Sequence, residues 1–189
     1  MGVSFDFITL FVSVIYGLAV THALTCIAGY FQRRSSLTHD WLFWMWAFWY
    51  FLLSLGFWVS VHFLWHKCSD WTFFRFFFVS LQACLFYFTF ALFFNHPHEI
   101  KNNLRIGFES NKKPVFLLTG ALFFLMFIVA PLLTDDASVN RDVRFSGFVL
   151  PILFWTFAFV RNRIANGLFA AFMLISFVAQ LIGSALTAA

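Results

Sequence analysis

The sequence predicts an all-α, polytopic transmembrane bundle of about six spans joined by short loops. Three observations carry that prediction. Of 189 residues, 62% are hydrophobic and only 11% charged, against about 45–50% and about 25% in a typical soluble domain. Thirty-two Phe and eight Trp are more large apolar side chains than a soluble globule of this size can hide, because so much of a small domain stays at its surface. The apolar runs are mostly about 20 residues or longer and do not alternate, which fits membrane helices and not barrel strands. Lipid offers the backbone no hydrogen-bond partner, so spans must satisfy their own amides. Nothing remains for a second domain, and residues 1–189 read as one transmembrane unit.

The first span covers about 5–30. The opening MGVSFDF lacks the positive n-region of a leader, and the apolar run after it is too long for an h-region, so a span is expected. The second, about 41–65, crowds Trp41, Trp44, Trp46 and Trp49 at one end, and Trp58, Trp65 and Trp71 mark the other, as interface anchors do. The third runs about 72–94 and the fourth about 114–134, with Pro114 in its first turn, where no amide is lost. Pro131 is expected to bend the fourth, and Pro151 the fifth and shortest, about 145–160. The sixth, about 165–187, carries Gly167-x-x-x-Ala171 and Ala179-x-x-x-Gly183, spacings that allow close helix packing. Between spans three and four, Asn95 can cap a helix and Pro97 suits its first turn. Ile100, Leu104 and Phe108 then recur every four residues beside Lys101 and Arg105. Two readings stay open: a basic amphipathic helix on an anionic leaflet, or a solvated linker.

Orientation follows the cations. Arg33, Arg34, Lys101, Arg105, Lys112, Lys113, Arg161 and Arg163 lie in or beside the first, third and fifth loops. Lys67, Arg75, Arg141 and Arg144 belong to the other side. Eight against four puts the odd loops in the cytoplasm and both termini outside. Cys26, Cys68 and Cys84 then fall at three depths, which disfavours an intrachain disulfide, while Cys68 faces outward as a free thiol or an intersubunit bridge.

Polar side chains are costly in a bilayer, so their placement bears on function. At about 100° per residue, Asp6, Thr9, Ser13, Gly17, Thr21 and Ala28 share one side of the first helix, with Thr25 at the edge. Val20 and Leu24 interrupt it. In the third helix Arg75, Gln82 and Thr89 recur every seven residues over about 21 Å. Asp6 and Arg75 share a depth near the outer interface and are expected to pair. The two stripes either line a water-filled path or act as polar glue between packed helices.

His22 lies off the small stripe, among Phe11, Ile15 and Leu18. It is a candidate proton carrier or ligand, or a side chain bonded to a neighbouring helix. His62 lies near the opposite face, too far for the two to hold a haem at one level. His96, His98 and Glu99 offer three metal-type ligands without the spacing of a zinc site, so no metal or other cofactor is expected. No Walker loop, GxSxG elbow, DNA-binding helix or tandem repeat is present, and no nucleic-acid partner is expected.

The stretch VIYGLAVTHAL, through Gly17, Leu18, Thr21 and His22, resembles the glycine-leucine-x-x-threonine-histidine pattern of a widespread, uncharacterised group of six-helix bacterial inner-membrane proteins. Trp71-Thr72-Phe73 and Arg161-Asn162-Arg163 are similar in placement. The resemblance implies an inner-membrane location and no residue roles. Six helices and little else leave conduction or partner binding as the main ways to do work. The expected function is a small oligomeric channel or transporter with a path between helices one and three. An accessory or scaffold subunit of a larger complex is the alternative, and a membrane redox or lipid-modifying enzyme the third reading. Expected partners are the lipid bilayer and either further copies of this chain or a larger complex.

Overall fold

A computed structural model describes residues 5–33, 38–65, 71–94, 103–133 and 143–187. Six helices appear among them: α1 (Phe5–Gln32), α2 (Trp41–Trp65), α3 (Phe73–Phe93), α4 (Leu104–Phe124), α5 (Val143–Phe157) and α6 (Arg163–Thr187). Past Phe124, α4 continues through a π-turn, Leu125–Val129, into the stub Ala130–Leu133. Four of the six, α1 to α4, are long and apolar enough to cross a membrane. Within the described residues α5 and α6 hold shorter apolar stretches, Gly147–Phe157 and Arg163–Ala179.

Short polar side chains start these helices. Thr72 accepts from the Arg75 amide at 3.3 Å, opening α3. Asn103 Oδ1 accepts from the Arg105 and Ile106 amides, and Asn162 Oδ1 from those of Ile164 and Ala165. Asp40 Oδ1 takes the Leu42 amide at the head of α2. Each cap satisfies donors that a first turn leaves orphaned.

The fourth helix departs from expectation. It begins at Leu104, so Pro114 lies inside it and not in its first turn. Leu104 and Phe108 are buried against the bundle, with Phe108 edge-on to Phe93 at 6.2 Å. Asn95, Pro97, Ile100 and Lys101 lie outside the described residues. Ahead of Pro131 the ladder slips to the π register, where the Ala130 amide reaches the Leu125 carbonyl. Proline has no amide to give and crowds the carbonyl four residues back, and a single π-turn is a common way to absorb such a break.

In backbone terms α1 flanks α3, α3 flanks α4, and α4 flanks α5, while α2 pairs chiefly with α6. Large rings span the remaining distance from α2 to the others. Trp46, fully buried, meets Phe116 of α4, Phe154 of α5 and Phe169 of α6 at 4.7, 6.0 and 5.5 Å. Phe57 stacks on Phe86 of α3 at 4.5 Å. The Tyr16 hydroxyl of α1 donates to the Ser54 carbonyl at 2.9 Å, and the hydroxyls of Tyr50 and Thr119 bond at 2.7 Å. The core is thus an aromatic column centred on α2. Small residues set the tightest approaches around it. A Cβ at Gly120 would collide with the Trp155 indole, whose Nε1 donates to the Leu117 carbonyl at 3.2 Å, and Gly167 lies against the Trp41 ring. Gly167 therefore makes room for an indole ring of α2.

Candidate functional site

The polar residues singled out from the sequence fall into separate places. On α1 the inward edge is Ile8, Val12, Ala19, Ala23, Cys26 and Tyr30, all buried. Asp6, Thr21 and Thr25 are exposed on the other side, and Ser13 is half-buried. A Cβ built on Gly17 would meet nothing within 4 Å. The Ser13 hydroxyl donates to the Thr9 carbonyl at 2.7 Å, and that of Thr25 to the Thr21 carbonyl at 2.8 Å, so both are satisfied within their own helix.

On α3 the disposition is reversed. Gln82 and Thr89 are buried at 1% and 0% exposure, and the Thr89 hydroxyl donates to the Leu85 carbonyl. Arg75 is half-buried. The stripe of α1 turns outward while that of α3 turns into the bundle, so the chain by itself does not bring them together. Asp6 and Arg75 are not joined by an ion pair among the described residues, where those present are Arg163–Asp40 and Arg163–Glu109. Periodicity located each stripe on its own helix, but the rotation of one helix against the other is a tertiary quantity.

His22 is bonded to a neighbouring helix. Its Nε2 lies 2.8 Å from the Phe94 carbonyl at the end of α3, and Cys26 Sγ donates to the same oxygen at 3.2 Å. A carbonyl only accepts, so Nε2 carries the proton in this contact. The two side chains, one turn apart on α1, close the C-terminus of α3. His96, His98, Glu99 and Cys68 lie outside the described residues, among which no group of three or more His, Cys, Asp or Glu is gathered.

The sequence reading missed a polar junction at the end where α2, α4 and α6 begin. Asp40, 3% exposed, accepts from Arg163 Nη2 at 2.5 Å, and Glu109 accepts from Arg163 Nη1 at 3.2 Å. One guanidinium therefore ties the heads of three helices. The turn between α5 and α6 is held as well. Val160 offers its carbonyl to Lys112 Nζ and to Asn166 Nδ2, and Asn166 also reaches the Asn162 carbonyl. The α5 C-terminus carries unsatisfied carbonyls and partial negative charge, so a lysine placed there is favourable. Asp40 and Arg163 are 123 residues apart, and only the arginine's turn had drawn notice in the sequence.

Together the apolar helices and their aromatic core are compatible with an integral membrane protein. Compared with family profiles, curated proteins and solved structures, the chain matches none of them.

Proposed function

We propose that the chain is a six-span inner-membrane protein that works as one subunit of an oligomeric channel or transporter, with the polar face of α1 at the boundary between subunits. The observation that carries this reading is the outward turn of Asp6, Thr21 and Thr25 from a core already filled with rings. The Thr25 hydroxyl is satisfied within its own helix. A carboxylate such as that of Asp6 has no such bond to make, and a second subunit or a water-filled space between subunits lowers the cost of turning it outward. The distribution of Lys and Arg supports both termini outside, and the resemblance through Thr21 and His22 supports a bacterial inner membrane.

Flux through liposomes holding purified protein tests the reading. Solute or ion movement is expected, and Thr21→Val and Asp6→Asn should lower it. Liposomes that stay sealed would sink the transport role. Cysteine cross-linking tests the boundary: Thr21→Cys should give disulfide-linked dimers in membranes, while Leu18→Cys, about 60° further round the helix, should give few. A second reading shares this surface. A core so fully packed also suits an accessory subunit seating a different protein on α1, and stoichiometric co-purification of that protein would select it.

A further inference from the structure

A cleft of about 590 Å³ opens beside the polar junction, with Arg105, Lys112, Lys113, Arg161, Arg163 and Glu109 in its lining. Two of the five cations are engaged: Arg163 by Asp40 and Glu109, and Lys112 by the Val160 carbonyl. Arg105, Lys113 and Arg161 make no ion pair among the described residues. We propose that this cleft binds the phosphate-bearing headgroup of an acidic phospholipid.

Charge is the first argument. Guanidinium and ammonium groups converging from separate elements are the chemistry that holds phosphate, the guanidinium as a fork and the ammonium as a point charge. Rigidity is the second. The cations stand on the first turns of α4 and on the α5–α6 turn, and the Lys112–Val160 and Arg163–Glu109 contacts fasten these elements together. An anion entering the cleft would find the backbone elements already held together and would have to order only exposed side chains, which favours binding.

The third argument selects lipid over a free anion. The lining beside the cations also holds Ala158 and Phe159, the latter 62% exposed. Lys113 Nζ sits 4.8 Å from the centre of the Phe159 ring. Lys113 lies within the membrane-length stretch Leu104–Val129, which runs on past it as an apolar helix. The cleft therefore lies where charged and apolar surfaces meet, at headgroup depth, with Phe159 placed to receive acyl chains. Basic pockets between transmembrane helices recognise anionic headgroups at this level. A soluble phosphate would use the cations and leave the apolar part of the lining without a role. The inference requires that α4 cross a membrane, and does not depend on oligomeric state or on transport.

The test uses the full chain in nanodiscs of equal phosphatidylglycerol and phosphatidylcholine, with the lipid retained by the released protein measured by mass spectrometry. Phosphatidylglycerol should be retained in preference. Lys113→Gln and Arg161→Gln should each cut that preference about fivefold, the value of one cation near a headgroup surface. Unchanged thermal midpoints in pure phosphatidylcholine would show that both variants fold. Equal retention of the two lipids by the unaltered protein would overturn the proposal, as would variants that keep its full preference. Arg33→Gln, at the same end of the bundle but outside the cleft lining, should leave the preference intact. An equal loss there would mean diffuse attraction to an anionic leaflet, not a site. Inorganic phosphate that binds the lipid-free protein and displaces retained phosphatidylglycerol at equal concentration would assign the cleft to a soluble anion and overturn the lipid proposal.

Discussion

The first two helices are alike in length and apolar character, 28 and 25 residues, yet they occupy opposite positions. In its apolar window α2 is 50% buried, whereas α1 is 22% buried. The difference is in side-chain size. The tryptophans and Tyr50 of α2 are long enough to reach all five other helices. By contrast α1 turns the small Ala19, Ala23 and Cys26 inward and leaves Phe7, Leu10, Val14 and Leu18 exposed. In a membrane the hydrophobic effect does not decide which apolar helix goes inside, since lipid is as apolar as the core. Packing contacts decide it, and aromatic rings make more of them.

Trp46→Ala should break this comparison most sharply. It removes the ring at the meeting point of α2, α4, α5 and α6, and a loss of about 3–5 kcal/mol is expected from a buried tryptophan. Chemical or thermal unfolding in detergent would read it, and a loss below 1 kcal/mol would mean that α2 is not the organising helix. Arg163→Ala comes next. It strands the buried Asp40 carboxylate, but Arg163 is itself 24% exposed, so about 2 kcal/mol is expected in place of the larger cost of a fully buried pair. Arg163→Ala with Asp40→Ala should recover part of that loss, because the orphaned charge is then gone. Full additivity of the two would argue against the pair.

Tyr50→Phe probes α2 more gently. The Thr119 hydroxyl keeps its bond to the Val115 carbonyl at 2.8 Å, so only one partner is lost, at about 1 kcal/mol. The smallest effect belongs to α1. Thr21→Val should change the stability of the isolated subunit by no more than about 0.5 kcal/mol, as for an exposed site. On the proposed subunit boundary it should instead alter association in membranes. A large loss in the dispersed subunit would place Thr21 in a packed interior and remove the contrast between the helices.

Much of the helical layout was legible from residues 1–189. The second span matches α2 end to end, and the first and third match α1 and α3 to within a residue or two. The fourth was misjudged because Pro114 was read as a first-turn residue. The helix is in fact capped by Asn103, eleven residues upstream, whereas a proline inside a helix usually breaks it. Here α4 runs on through Pro114, ten residues past its first residue Leu104. The candidate site was less legible. Asp40 sits in a loop rich in polar residues, and nothing local distinguishes a carboxylate that will be buried beneath an arginine from one that will be solvated.

Composition and run length by themselves determined that the chain is helical and apolar enough for a membrane, because backbone hydrogen bonding in lipid admits few alternatives. They also determined the spacing of polar residues along each helix, because that follows from the helical repeat. The tertiary structure decided which way each stripe turned, that His22 would close α3, and that cations from two distant segments would share one cleft. Those outcomes depend on helix rotation and on contacts across long stretches of chain, and an almost uniformly apolar helix has no sequence face to set them in advance.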